Sequence, residues 1–240
     1  MFIPLRDHNP RLRFPAVTLL LIGINAVAWL YEISLGERAR AALVLAGGAI
    51  PYEIVNHVDI GPRNLLPVPG SILTSMFLHG GWMHLIGNMW FLWIFGDNIE
   101  ETLGTIRYVL FYLLTGTVGA LAQSYSMPDS LVPMVGASGA VAGILGGYVM
   151  LYPRAKVVTL IPIPLLWPVL DLPAWFFLGL WFLGQFLLPT GSGVAWMAHV
   201  GGFLAGLGAV RLLARPPAAG GDDRGVPVDV EYIPPRPRRW

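Results

Sequence analysis

Cysteine is absent from all 240 residues. That excludes disulfides, thiol catalysis and thiolate metal sites. Charge is also scarce: 12% of residues are charged, about half the usual share of a soluble domain. The net charge of +1 gives no basis for nucleic-acid binding. No HExxH string is present, so a zinc-protease reading lacks its ligands, and no cofactor or metal is expected. The opening stretch, Met1 to Pro15, lacks the compact layout of a signal peptide, so the first apolar run is expected to be retained.

What the chain has instead is apolar bulk. Hydrophobic residues make up 55% of it and mean hydropathy is +0.63, more than a soluble domain of this size could bury. The 29 glycines and 9 tryptophans suit close helix packing and interfacial anchoring in a bilayer. The expected fold is an all-α polytopic membrane bundle of six helices. These are placed near Ala16 to Glu32, Trp82 to Ile99, Ile106 to Ser124, Ser138 to Tyr152, Trp175 to Leu188 and Val194 to Leu213. Residues 1–15 are expected to be a cytoplasmic N-terminal segment and 16–213 the membrane domain. Within it, residues 34–72 mix charge with apolar stretches, which suits an interfacial segment. The polar tail, 214–240, has no apolar periodicity and is expected to be disordered.

The basic residues suggest the orientation. In a six-span count, Arg6, Arg11, Arg13, Arg107, Arg154, Lys156, Arg211 and Arg215 share one side with the tail arginines. Only Arg38, Arg40 and Arg63 fall on the other. The positive-inside rule then makes both termini cytoplasmic.

Two strings place chemically able side chains among glycines inside these apolar segments: Gly136-Ala137-Ser138-Gly139 and Ala198-His199-Val200-Gly201-Gly202. Helix rise puts Ser138 roughly 24 Å above Arg154 and His199 about 18 Å above Arg211. On the same scale His84 and Asn88 lie roughly 24 Å and 18 Å above Glu100. All four fall in the outer half of the membrane. A serine hydroxyl needs a base, and a neutral imidazole can serve as one. No carboxylate shares this depth, so a dyad fits better than a triad. The competing reading of Ser138 is a small residue packing helices. A titratable histidine inside a bilayer points more strongly to a function or a specific partner.

Gly139 and Gly143, like Gly202 and Gly206, are four residues apart and form ridges for close helix contact. A meeting of the fourth and sixth helices there would bring Ser138 toward His199. His84 and Asn88 share one helix face and could donate to an oxyanion, or form a structural pair. His79, beside Gly80 and Gly81, is as readily a satisfied loop histidine as a supporting one. A helix that starts at Ser138 also directs free N–H groups at the nucleophile.

With these residues the chain resembles the rhomboid family of intramembrane serine proteases. The resemblance rests on Leu78-His79-Gly80-Gly81-Trp82-Met83-His84-Leu85-Ile86-Gly87-Asn88, on Phe95-Gly96 and Glu100 with Gly104, and on the two strings above. It extends over roughly Ala16 to Leu213. It implies a Ser138–His199 dyad cutting peptide bonds in or near transmembrane segments. It also implies an oxyanion site from the Ser138 N–H, His84 and Asn88, with Gly136 and His79 in support. The implied partners are transmembrane protein substrates and lipid, in a prokaryotic plasma membrane, with the site opening outward. Trp175, Phe176, Phe177, Trp181 and Phe182 would border substrate access with the loop Leu187 to Val194, or simply contact lipid. Two departures stand out. The Trp-Arg pair of many relatives is replaced by Pro69-Gly70-Ser71-Ile72 before Leu73-Thr74. Ala142 occupies the place of an aromatic residue beneath the histidine ring, so something else must hold His199. The competing functions are a non-catalytic membrane binding or chaperone-like protein, and a transporter. The latter lacks paired repeats and a carboxylate relay.

Overall fold

The computed structural model describes residues 2–60, 65–163, 166–187 and 194–214. Arg63, residues 215–240 of the tail and most of the Leu187–Val194 loop lie outside the described residues. The helices are α1 (Ala16–Ser34), α2 (Glu37–Gly47), α3 (Pro51–Asn56), α4 (Val68–Ser75), α5 (Trp82–Leu103), α6 (Thr105–Ser126), α7 (Ser138–Leu151), α8 (Ala174–Gln185) and α9 (Trp196–Leu213). The chain is an integral membrane protein built as a polytopic helical bundle. Of the six expected spans, three are long and apolar enough to cross a membrane by themselves: α1, α6 and α9. α5 has the length, at 22 residues, but ends on Asp97, Glu100 and Glu101. α7 and α8 are apolar but have only 14 and 12 residues.

The bundle carries its polarity inside. Leu20, Ile24 and Val27 on α1, Trp90 and Trp93 on α5, and Leu110 and Leu114 on α6 are exposed, as lipid-facing residues should be. Asn25, Glu32, Gln123 and Ser124 are buried between helices instead. Polar groups removed from lipid must find partners in the protein. The start of α1 is satisfied this way. α1 opens at Pro15 without a side-chain cap of its own. The Glu100 carboxylate of α5 accepts from Val17 N at 2.9 Å, Thr18 N at 2.8 Å and Thr18 Oγ1 at 2.8 Å. A buried anion there meets both the free N–H groups and the positive end of the helix dipole. Glu100→Ala strands two buried backbone donors, Val17 N and Thr18 N, at about 1–3 kcal/mol each, while the Thr18 hydroxyl keeps Tyr108 as a partner. We expect a clear fall in thermal midpoint in detergent, with an unchanged midpoint counting against this clamp.

A small sheet joins the bundle, which the all-α expectation did not include. β1 (Ile3–Asp7), β2 (Lys156–Leu160) and β3 (Val169–Pro173) pair antiparallel in the order β1-β2-β3. Its strand register slips between Pro4 and Arg6, where a proline tolerates the irregularity. Prolines at 162, 168 and 173 preclude a regular helix before Ala174, so β2 and β3 pair there and α8 starts at Ala174, beside the expected Trp175, and ends at Gln185, short of the expected Leu188. β1 ties the N-terminal segment to the bundle. Trp90 Nε1 donates to Pro4 O at 2.7 Å, the Tyr148 hydroxyl donates to Asp7, and Asn98 Nδ2 reaches Asp7 Oδ2 at 3.1 Å.

Burial pushes the Asp7 carboxyl up to about 7, with Asp97 adding to the rise and the Tyr148 hydrogen bond opposing it. The folded state therefore holds this proton more tightly than the unfolded chain. Stability from this site is greatest below the ordinary carboxyl range and is lost as pH rises toward 7. Asp7→Asn should flatten that decline in a thermal-midpoint series from acid to neutral pH. A wild-type midpoint that instead rises over this interval contradicts the assignment.

α7, α6 and α9 form the tight centre. A Cβ built on Gly202 would lie 2.0 Å from Gly139 O, and one on Gly206 would lie 1.9 Å from Gly143 O. The α7 and α9 backbones thus approach as closely as glycine permits. Phe95, Phe111, Tyr108, Tyr112, Tyr148 and Leu145 fill the core beneath.

Candidate active site

Ser138 is the first residue of α7 and is half-buried. The turn before it depends on Gly136, whose φ of +119° disfavours any side chain. Its amide donates to Ser75 O at 2.8 Å, so α4 anchors this turn. A Cβ at Gly136 would meet the His84 ring at 2.5 Å. His84, in the first turn of α5, therefore lies directly against the loop that presents Ser138. A small cleft beside the serine is lined by Ser75, Met76, Met134, Gly136, Ser138 and Ala198.

Asn88 lies one turn below His84 and is buried, with Nδ2 lacking a protein partner among the described residues. His79 is fully buried. Its amide donates to Glu32 Oε1 at 3.0 Å, and its ring meets His84 edge-on at 5.3 Å between centroids. Neither His79 ring nitrogen has a protein partner among the described residues. Among those residues, no group of three or more His, Cys, Asp or Glu could hold a metal.

His199 lies in the first turn of α9 and is half-buried. Gln123 of α6 positions that turn by accepting from Met197 N at 3.0 Å. The contact between α7 and α9 runs beside Ser138 and His199: Gly119 of α6 packs against Ala198 O and the Gly139 Cα. A Cβ built on Gly139 would lie 3.5 Å from Ala198 O, so the start of α9 lies against the start of α7, just as His84 of α5 lies against Gly136. α5, α7 and α9 thus converge on one region. Among the described residues, no hydrogen bond links Ser138 to His199. The imidazole Nδ1 instead lies 2.6 Å from Gln185 Oε1. Catalytic contacts are commonly loose before substrate binds.

α8 supplies what Ala142 lacks. The Trp181 ring lies 6.0 Å from the His199 ring, tilted by 36°. Gln185, buried at the end of α8, bonds the imidazole. Neither residue is identifiable from motif or charge as a holder of His199. The available signal is Phe177, Trp181 and Gln185 at successive fours, a polar residue completing one apolar helical stripe. The aromatic cluster of α8 is also divided. Trp175 and Phe176 are exposed, whereas Phe177 is buried and Phe182 packs on Phe203 of α9 at 4.7 Å.

The rhomboid domain model matches residues 70–216, more than half of the chain. RHOMBOID-like protein 4 of Arabidopsis thaliana is 37% identical over 154 residues, covering 60% of this chain and 34% of that protein. Rhomboid protease GluP of Bacillus subtilis (strain 168) is 32% identical over 136 residues, 55% of this chain and 24% of that one. RHOMBOID-like protein 6, mitochondrial, of Arabidopsis thaliana is 40% identical over 75 residues, 31% of this chain and 24% of that protein. The chain spans about a third or less of the length of these relatives. The matched region includes α5, α6, α7, α8 and α9, with all the site residues just described, and the chain belongs to the rhomboid family.

Proposed function

We propose that this protein is an intramembrane serine endopeptidase that hydrolyses peptide bonds in or near transmembrane segments of protein substrates. The observation that carries this reading is the convergence of three helix starts. α7 presents Ser138, α5 lays His84 against Gly136, and α9 lays Ala198, the neighbour of His199, against Gly139 of α7. In this scheme Ser138 Oγ attacks the scissile carbonyl carbon as its proton passes to His199. The C–N bond then breaks, the amine leaves with that proton, and an acyl-Ser138 ester remains. A water molecule, deprotonated by His199, attacks the ester; the C–Oγ bond breaks, His199 returns the proton to Ser138 Oγ, and the acid is released.

The developing oxyanion would sit at the start of α7. The Ser138 N–H and the side chains of His84 and Asn88 are its donors. Asn88 Nδ2, buried and without a protein partner, supports this role. Removing one such donor costs roughly 3 kcal/mol of transition-state stabilisation, or about a hundredfold in kcat. Asn88→Ala is expected to show that loss in steady-state cleavage, and an unchanged kcat removes Asn88 from the oxyanion site.

α1, α5, α6, α7, α8 and α9 serve as six membrane segments, with α2 and α3 in the interfacial connection. Both termini are cytoplasmic and the site opens to the opposite side, an arrangement supported by the distribution of arginines. The reading is tested with purified protein in liposomes, a panel of single-span substrates and a fluorophosphonate probe. Substrates should be cut and the probe should label Ser138. A chain that is folded, uncut in its substrates and unlabelled would end the protease reading.

A further inference from the structure

The base of a serine hydrolase must carry its lone pair on the nitrogen that faces the serine. An imidazole has two nitrogens, and the hydrogen bond at one fixes the tautomer at the other. In a triad a carboxylate does this. Here, among the described residues, no carboxylate is bonded to His199; its partner is the neutral side-chain amide of Gln185, 2.6 Å away.

Which end of that amide faces the histidine is settled by its other contact. Gln185 Nε2 lies 2.9 Å from Trp181 O, and a backbone carbonyl only accepts. The amide nitrogen is therefore turned to Trp181, and Oε1 is turned to His199. Oε1 also only accepts, so His199 Nδ1 must donate. That leaves the lone pair on Nε2. Gln185 is buried, so this bond competes little with water. The Trp181 ring meanwhile limits rotation of the imidazole from one side.

From this chain of contacts we infer that Gln185 is a positioning residue for the dyad. It holds His199 in the Nδ1–H tautomer, with Trp181 fixing both the amide through its carbonyl and the imidazole through its ring. This rests on the reading of Ser138 and His199 as the catalytic pair. It also gives α8 a task, because this helix holds the base in register. The nearest titratable group on the facing helices is His84 of α5, which lies against Gly136 at the start of α7, and Ser138 on α7 is uncharged. Neither fixes the tautomer as Gln185 Oε1 does, because a hydroxyl or an imidazole can donate as well as accept.

The test uses the purified full chain in detergent with a single-span substrate. Gln185→Leu removes the acceptor and keeps the apolar stem. We expect kcat to fall about tenfold or more at nearly constant KM, since general-base catalysis contributes about 10²–10⁴-fold. Gln185→Glu restores an acceptor and adds a charge that favours imidazolium. It should retain activity while the acid limb of its pH–kcat profile moves to higher pH. A role in packing alone would not move that limb. Ser138→Ala separates the two levels of the argument. If Ser138→Ala cleaves like wild type, the protease reading fails and this inference with it. If Ser138→Ala is inactive while both Gln185 variants keep wild-type kcat and pH profile, the Gln185 inference alone is overturned. Where Gln185→Leu does not fold, ¹⁵N-histidine NMR of the wild type decides. The resonance lost in His199→Ala should report a protonated Nδ1, and a protonated Nε2 overturns the inference.

Discussion

Ser138→Ala is expected to reduce cleavage of single-span substrates to background, by about 10⁴–10⁶-fold, and His199→Ala to come close to it. The two losses should not add. A nucleophile and its base act as one unit, so the double variant should be no slower than the slower single one. The folded state should register these changes weakly. Ser138 is half-buried at a helix start, and alanine is the better helix former. His199→Ala forfeits the bond to Gln185 Oε1, worth about 1 kcal/mol net, and leaves that buried acceptor in search of water. Loss of activity with a thermal midpoint near wild type therefore marks a chemical role. Equal rates for wild type and Ser138→Ala would return the chain to the non-catalytic binding reading, in which the same helix grooves hold a membrane partner without cutting it. Strict additivity in the double variant would separate the two residues into independent roles and end the dyad.

The parts of this protein that a sequence makes legible are those with a strong local signature. Long apolar runs announce membrane helices, and α1, α6 and α9 satisfy length and composition together. The glycine-flanked serine and histidine, with the His84 string, pointed to the rhomboid family, to which the matched domain assigns the chain. The sheet was harder to read. Its strands come from residues 3–7, 156–160 and 169–173, so the pairing is non-local, and the prolines between them read only as interruptions. Helix-start partners were illegible for a similar reason. Glu100 meets Val17 and Thr18 from 83 and 82 residues away, and Gln123 meets Met197 from 74 residues away. Gln185 is the least legible of the site residues. It is only 14 residues from His199, yet the loop between them gives no register, and a glutamine near the end of a short helix carries no nucleophile or charge to draw notice. The question it answers was visible as Ala142, a place where an expected support is missing.

Gly206→Ala is the second large effect, because a single methyl group is directed at backbone. Its Cβ would lie 1.9 Å from Gly143 O and 2.6 Å from Gly143 C. No rotamer change relieves that clash, since the opposing atoms belong to helix backbone. α9 must move away from α7, and the separation propagates along the ridge to Gly202, which approaches Gly139 O equally closely. Overpacking of a tight contact costs about 1–3 kcal/mol, more where the backbone itself must shift. The same displacement acts on the site, since Ser138 and His199 lie on the two helices being separated. A misplacement of about 1 Å can cost a hundredfold in rate. Gly206→Ala should therefore lower both the thermal midpoint in detergent and kcat, the latter by about two orders of magnitude. Gly208→Ala is the matched control. It lies on the same helix, has nothing within 4 Å of its built Cβ, and should be neutral or slightly stabilising through helix propensity. If Gly206→Ala and Gly208→Ala behave alike, close approach of α7 and α9 is not what holds the serine and the histidine in one site.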